Sequence, residues 1–189
     1  MAPVFCGGDC AMESQACYDH ERFDRLLDRG QLRAARDAVR SSLRKEPEDP
    51  LLWMELAETY YGENKYKLAL RYYEKAYRLA PSSPLVLSDY AGTLDLMGRE
   101  KEAIEIWKKL LRKGRNRIAR GEHIAGMRDA SCLLNQCRFR LALSHARLGS
   151  IASAIRYLKR HIANRARGLP SDCSLQDAKR MLKNLERRR

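Results

Sequence analysis

The clearest pattern of apolar and polar positions in this 189-residue chain lies between Pro50 and Pro81. Apolar residues recur there every three or four positions in two successive runs, which is typical of amphipathic helices. Asp49 precedes the first run as a helix cap, and Pro50 takes the first helical position. Pro81 ends the second run. The stretch therefore predicts a helical hairpin.

Related patterns recur at a spacing of 34 residues on both sides of this hairpin. Ala35, Ala69 and Ala103 fall in step, where small side chains let two helices approach closely. The register breaks after Gly114 and returns with Ala154, which lies 51 residues after Ala103, or 34 plus an insertion of 17. We therefore predict one repeat domain over residues 16–168. Its repeats span about 16–49, 50–83, 84–117 and 135–168, and the insertion covers 118–134.

The two ends of the chain have different patterns. Residues 1–12 show no helical period, and residues 1–15 are predicted to form a flexible lead-in. Ser174 and Asp177 form a capping box at the start of a last amphipathic segment. This segment, 174–189, carries Lys and Arg on its polar face, and we expect a basic helix that caps the open end of the stack.

The hairpin at 50–81 resembles the tetratricopeptide repeat family. Large side chains and small ones stand at that family's characteristic positions: Trp53, Leu56, Tyr60 and Tyr73, with Ala57, Ala69 and Ala76. The resemblance implies an all-α fold, a right-handed superhelical stack of about four helical hairpins plus a C-terminal capping helix. It also implies that the first helix of each hairpin lines a concave groove.

The resemblance further implies a non-enzymatic scaffold or adaptor for protein–protein interaction. A partner peptide or helix would lie in the concave groove. Transferred position by position, the family's groove-lining residues are Leu51, Met54, Glu58, Tyr61, Leu85, Ser88, Asp95, Leu96, Gln136, Phe139, Leu143 and Arg147. Acidic groups lie toward one end of this set and an arginine toward the other, which favours a segment with the opposite charge order.

One variant of the family binds the C-terminal carboxylate of heat-shock chaperones through Asn and basic groove residues. This chain departs from that pattern. Asp24, Glu58 and Gly92 occupy one groove position in three successive repeats, and none of them is Asn. Chaperone-tail binding is therefore not expected.

The net charge of +13 is unevenly distributed. Residues 1–100 hold 14 basic and 17 acidic residues, a net charge of −3, and residues 101–189 hold 23 and 7, a net charge of +16. A basic patch at the end of the third repeat comprises Lys108, Lys109, Arg112, Lys113, Arg115, Arg117 and Arg120. Such a field attracts acidic protein or nucleic acid. It supports either electrostatic steering of a protein partner or, as the alternative, a nucleic-acid-associated protein.

Cys6, Cys10, Cys17 and His20 form the one candidate metal set, because three thiolates and an imidazole can hold zinc. Their spacing is weaker than that of paired C-x2-C motifs, and a tail with free thiols is the alternative. No catalytic or phosphate-binding motif is present, so neither enzymatic activity nor a cofactor is expected.

No apolar run reaches the 18 residues of a membrane span, and the start lacks a standard secretory signal. We therefore expect a cytoplasmic protein. Occupation of the groove by residues 1–12, by the insertion or by a second copy of the chain also stays open.

Overall fold

The computed structural model describes residues 19–121, 126–169, 171 and 173–188. These residues form ten helices and contain no β-strand. The helices are α1 (His20–Asp28), α2 (Leu32–Leu43), α3 (Pro50–Gly62), α4 (Tyr66–Leu79), α5 (Pro84–Leu96), α6 (Glu100–Lys113), α7 (Arg115–Ala119), α8 (Met127–Arg147), α9 (Ile151–Ala166) and α10 (Leu175–Glu186).

Four helical hairpins follow one another along the described chain: α1 with α2, α3 with α4, α5 with α6, and α8 with α9. Each hairpin also packs on the next, since α2 contacts α3, α4 contacts α5 and α6 contacts α8. The last helix, α10, packs against α9. The expectation of an all-α stack of about four hairpins with a C-terminal helix is therefore confirmed.

The turn within each hairpin uses the same backbone device. Gly30, Asn64, Gly98 and Gly149 have positive φ angles of 68°, 58°, 70° and 73°. They lie 34, 34 and 51 residues apart, which is the spacing of the repeats. A left-handed residue lets a helix end and the chain reverse, and glycine or asparagine adopts that conformation at little cost. The sequence period therefore corresponds to a repeated turn.

Side-chain caps fix where individual helices begin. The Asp49 carboxylate accepts a hydrogen bond of 2.8 Å from the Leu51 N–H at the start of α3. At the start of α10, the Ser174 hydroxyl accepts one of 3.0 Å from the Asp177 N–H. Because the first N–H groups of a helix have no partner within the helix, each cap stabilises its helix by about 1 kcal/mol.

The described part of the segment between the third and fourth hairpins contains one short helix. Gly114, with φ of 73°, separates α6 from the short α7, whose Ile118 is fully buried. Helix α8 then begins at Met127 and is 21 residues long, so it starts eight residues before position 135. Both α6 and α7 pack against α8. The first eight residues of α8 thus extend the packing of the third hairpin on the fourth.

Two apolar clusters join the hairpins. Ala35, Ala69, Ala103 and Ala154, the small residues in step, are all fully buried. One apolar cluster runs from Phe23 in α1 to α8, and a second joins α8, α9 and α10. Among the described residues, no helix is long and apolar enough to cross a membrane.

Candidate functional site

A pocket lies where the first helices of three hairpins come side by side. Helix α3 contacts α5, and α5 contacts α8, while α4 and α6 pack behind them. The cavity measures about 250 Å³. We call it the groove pocket, and it is lined by Glu58, Tyr61, Tyr73, Ser88, Asp89, Gly92, Thr93, Trp107, Gln136 and Arg140.

Two carboxyl groups in the groove pocket have no ion-pair partner among the described residues. Glu58 comes from α3 and Asp89 from α5, and no described residue forms a side-chain hydrogen bond or ion pair with either. Burial is the main cause that raises the pKa of Glu58 to about 8, and the nearby acids Asp89, Glu55 and Asp24 raise it further. Burial raises the pKa of Asp89 to about 7. The pocket therefore holds carboxyl groups that ionise only at a cost unless a cation arrives.

The floor of the groove pocket is rigidly connected to the core. Trp107 is buried, and its indole N–H donates a hydrogen bond of 2.9 Å to the Asp95 carboxylate. The Ser144 hydroxyl donates a second one, of 2.6 Å, to the other oxygen of Asp95. This network joins α5, α6 and α8. The pocket is consequently supported by the contact between the third and fourth hairpins.

The structure brings Glu58, Tyr61, Ser88 and Gln136, four of the twelve expected groove residues, together in the groove pocket. Tyr61 is 41% exposed. Its ring packs edge to face on Tyr66 at a centroid distance of 5.3 Å, so its orientation is held by a neighbour.

The other expected groove residues have different surroundings. Met54 and Asp95 are buried, so they offer no surface to a partner. Leu51 lines a separate cavity at the start of α3. Phe139 lines a cavity between α8 and α10. Leu96 is exposed at the end of α5.

The remaining three expected residues lie on α5 and α8. Leu85 and Leu143 are half-buried. Arg147 is exposed, and its guanidinium donates a hydrogen bond of 3.1 Å to the Asp95 carbonyl. This bond links the end of α8 to the end of α5.

Sequence reasoning missed Asp89 and Arg140 as pocket residues. A signal for both was present: Glu21, Glu55 and Asp89 are acidic residues 34 apart in successive first helices, and Arg140 follows Asp89 after 51 residues. The same repeat position therefore changes from acidic to basic at the fourth hairpin. Helix-face assignment alone did not reveal which of these side chains would point into a pocket.

The basic patch lies along the end of α6 and on α7, outside the groove pocket. Arg112, Arg115, Arg117 and Arg120 are exposed. Lys109 differs from them, because its ammonium group donates a hydrogen bond of 3.2 Å to the Tyr77 hydroxyl. Most of the patch is thus surrounded by water and screened by salt.

The other two lysines of the basic patch have neighbours of both signs. Lys108 pairs with Glu105 at 3.0 Å. Lys113 and Arg117 line a cavity of about 560 Å³ together with the starts of α3 and α5. Burial, followed by the positive charges of Arg117 and Lys109, lowers the pKa of Lys113.

The candidate zinc set falls mostly outside the described residues, since Cys6, Cys10 and Cys17 all precede residue 19. His20 is described, and its Nδ1 lies 2.6 Å from the Glu55 carboxylate. Within the described ranges, no group of three or more His, Cys, Asp or Glu residues is arranged to hold a metal ion.

Two family models, both described as tetratricopeptide repeat, match this chain. One matches residues 20–84 and the other residues 60–122, so together they span more than half of the 189 residues.

Among curated proteins, the chain is similar to tetratricopeptide repeat protein 37 of Xenopus laevis. The two are 28% identical over 131 residues, which are 66% of this chain and 8% of that protein. It is also similar to superkiller complex protein 3 of Mus musculus, with 25% identity over 140 residues, 74% of this chain and 9% of that protein. The chain thus spans less than a tenth of the length of either relative.

Solved structures show the same fold. A putative kinesin light chain of Podosopora anserina with nearly identical TPR-like repeats superposes with a TM-score of 0.65 at 18% identity, over 89% of this chain and 83% of that one. PilW, a type IV pilus biogenesis factor, gives a TM-score of 0.63 at 18% identity, over 77% of this chain and 60% of that one.

Proposed function

This chain belongs to the tetratricopeptide repeat family, and on that basis we propose that it is a scaffold that binds a peptide or helix of a partner protein in its groove. The family and fold support a protein-interaction role. The observation that carries the groove proposal is the groove pocket, where the Glu58 and Asp89 carboxyl groups have no ion-pair partner among the described residues. Partly desolvated charge without a partner is a feature that binding can satisfy.

The surroundings of the groove pocket favour a polypeptide ligand. Tyr61 and Leu96 are large apolar side chains, 41% and 44% exposed, on neighbouring first helices. Exposed aromatic and aliphatic groups beside a pocket are typical anchors for a peptide. The groove pocket itself is smaller than the roughly 300–1,000 Å³ of small-molecule sites. A segment that places one side chain in the pocket and others along the groove fits this arrangement.

The repeat domain 16–168 and the basic helix 174–189 act as one binding unit in this proposal. The basic patch then contributes long-range attraction to a partner with acidic regions, which raises the association rate. A relative named as a component of the superkiller complex is compatible with a role in an assembly.

A double substitution tests the groove. Tyr61→Glu with Leu96→Glu places two charges on the proposed binding surface without altering a buried position. We expect it to abolish capture of the partners that the wild-type chain retrieves from its native host, as measured by affinity capture and mass spectrometry. The helical circular dichroism signal and the melting temperature should stay close to wild type.

The matched control uses the same change at exposed leucines on other surfaces. Leu68 in α4 and Leu148 after α8 are 36% and 41% exposed. Leu68→Glu with Leu148→Glu should leave partner capture intact. Equal capture by the groove variant and this control would remove the groove proposal.

A second candidate function is association with nucleic acid, and the net charge of +16 over residues 101–189 favours it. Binding through phosphates weakens steeply with salt and tolerates unrelated sequences. Reversing the charges of Lys109, Arg112, Arg115 and Arg117 should then abolish binding to unrelated nucleic acids in a salt-dependent assay. Binding retained after that reversal would argue against this candidate.

A further inference from the structure

We infer that the groove pocket receives a lysine or arginine side chain of the partner segment, between the carboxylates of Glu58 and Asp89. The inference rests on the proposed function, because it assigns the chemistry of one position in the peptide that the groove binds. It names a cationic side chain as the occupant.

The dimensions of the groove pocket suit one long side chain. Its volume is about 250 Å³, and the aromatic rings of Tyr73 and Trp107 lie in its lining. The stem of a lysine or arginine is apolar and packs on such rings, while the charged end seeks a counter-charge. Glu58 and Asp89 supply that counter-charge from two adjacent helices.

The electrostatic field around the two carboxylates is mainly negative. Asp24 from α1 and Glu55 from α3 both act on Glu58 with the same sign. The positive group in the lining is Arg140 of α8, whose charge lowers the pKa of Asp95 and which forms no salt bridge with Glu58 or Asp89 within the described residues. A cation entering from outside therefore meets an attractive site with no resident competitor among the described residues.

Gly92 keeps the pocket open at its mouth. It occupies the repeat position that holds Glu58 one repeat earlier, and a Cβ at this residue would meet no atom within 4 Å. The backbone at 92 is helical, so a larger residue is tolerated there without strain. The absence of a side chain leaves space beside Asp89 for the cation to enter.

The test uses a phage-displayed library of random 12-residue peptides, selected separately on the wild-type protein and on variants. We expect wild-type selections to enrich Lys or Arg at one fixed position beside apolar positions. Synthetic peptides from the wild-type selection should lose at least tenfold in affinity when that residue is replaced by Gln. They should lose a similar factor on the Glu58→Gln/Asp89→Asn protein.

Two further variants separate charge from shape and from overall net charge. Gly92→Leu fills the space beside Asp89 and keeps both carboxyl groups. It should lower the affinity for the peptides by at least tenfold. Glu74→Gln/Glu105→Gln removes the same number of carboxyl groups from exposed positions on α4 and α6. This charge-matched control should bind the peptides within about twofold of wild type. Circular dichroism of each variant verifies that the fold is retained.

A measurement of proton release gives an independent readout. Because the pKa values of Glu58 and Asp89 are raised to about 8 and about 7, both groups hold protons in part near pH 7 in the free protein. An entering cation favours the ionised forms, so binding should release protons and strengthen from pH 6 to pH 8. Calorimetric titration in two buffers with different protonation enthalpies measures this release, which the Glu58→Gln/Asp89→Asn protein should lose.

The outcomes separate this inference from the groove proposal. Peptides that depend on Tyr61 and Leu96 but carry no fixed basic residue would overturn the cation pocket and leave groove binding intact. Peptides that bind equally well to the Tyr61→Glu/Leu96→Glu protein would overturn the groove proposal and this inference with it. A concentration-dependent dimer that forms through the groove pocket would contradict the proposal that a separate partner protein supplies the cation. It would assign the cation to a second copy of the chain.

Discussion

The groove pocket and the basic patch lie on the same helical stack but hold their charges in different ways. Glu58 and Asp89 are half-buried between helices, and partial removal of water raises their pKa values. Arg112, Arg115 and Arg117 stand in water on α6 and α7. Charge that has lost its hydration discriminates between ligands at short range, whereas exposed charge acts at a distance and is screened by salt.

The difference shows that net charge is a poor guide to which charges carry recognition. The chain has a net charge of +13, yet the half-buried groups in the groove pocket that lack an ion pair among the described residues are the acids Glu58 and Asp89. The free-energy cost of an unpaired charge rises with its burial, and the net charge of a protein says nothing about burial. We therefore expect specificity from the groove pocket and association rate from the basic patch. Four experiments test this contrast between the groove pocket and the basic patch.

The largest effect should come from Trp107→Ala. Trp107 is buried beneath the groove pocket, and its loss leaves a cavity and removes the hydrogen bond to Asp95. We expect the free energy of unfolding to fall by about 3–5 kcal/mol in urea denaturation. The substitution should destabilise both the groove pocket and the basic patch, since α6 also carries part of the basic patch.

The matched control is Trp53→Ala. Trp53 is half-buried, stacks on Tyr72 at 6.0 Å and donates to the Pro47 carbonyl near the surface. Its removal should cost clearly less than removal of Trp107. An equal loss for the two tryptophans would contradict the special role assigned to the floor of the pocket.

The second effect concerns the pH dependence of stability in the groove pocket. The pKa values of Glu58 and Asp89 are higher in the folded protein than in the unfolded chain, so the folded state binds more protons between about pH 4 and pH 8. Stability from these groups is therefore present at low pH and is lost as pH rises through 7 and 8. Glu58→Gln/Asp89→Asn should be more stable than wild type at pH 8, by about 1–3 kcal/mol, since one pKa unit corresponds to about 1.4 kcal/mol.

This gain should shrink at pH 5, where the wild-type carboxyl groups are already neutral. Urea denaturation of both proteins at the two pH values measures the difference. The Glu74→Gln/Glu105→Gln protein serves again as control and should show no comparable gain at pH 8. A gain independent of pH would mean that the two carboxyl groups are not desolvated.

The third effect is a pH dependence of stability with the opposite sign, and it arises from His161 in the fourth hairpin. His161 is fully buried, its Nδ1–H donates to the Asn135 carbonyl at 3.1 Å, and its Nε2 has no partner among described residues. Burial lowers the pKa of His161, and the positive charges of Arg165 and Arg138 lower it further. The unfolded chain therefore binds the proton first as pH falls below about 6.5.

Stability should decline from pH 7.5 to pH 5.5 through His161, because the unfolded chain takes up the proton more readily than the folded protein. His161→Gln keeps a side-chain N–H for Asn135 but cannot be protonated in this range. The variant should show a smaller decline than wild type in urea denaturation. An unchanged decline would assign the acid sensitivity to another group.

The smallest effect should come from the basic patch. Arg115→Gln with Arg117→Gln alters two exposed side chains, and surface substitutions of this kind usually change stability by less than about 0.5 kcal/mol. Association with an acidic protein should slow at low salt and become indistinguishable from wild type at high salt. Stopped-flow kinetics at two ionic strengths measures this. A change in dissociation rate instead would indicate that the patch makes short-range contacts.

Much of the fold could be predicted from the sequence because its signals are local. A helix cap at Asp49, a small residue at Ala69 and a turn residue at Asn64 each act within a few positions of the chain. Repetition at 34 residues then multiplies one hairpin into a stack. The start of α8 at Met127 was harder to predict, because the segment 118–134 has no apolar stripe of its own.

The candidate site was only partly predictable. The family frame identified Glu58, Tyr61, Ser88 and Gln136 as groove positions, and the structure brings these four together. It also included Met54 and Asp95, which the packing of neighbouring helices buries. A helical period gives the face on which a residue lies, but the width of that face that remains open depends on how closely adjacent hairpins approach.

The hairpins, their number, their turns and the separation of acidic from basic halves could be predicted from the sequence, because they depend on short-range patterns and on charge counts. Which charged groups lose part of their hydration depends instead on how the helices pack. Glu58 and Asp89 are 31 residues apart in the chain. These two carboxyl groups line the same pocket because α3 and α5 pack side by side and α8 completes the lining. Gly92 has no side chain that would fill the space beside them. Burial is a property of the packed helices, and it gives these two carboxylates their chemistry.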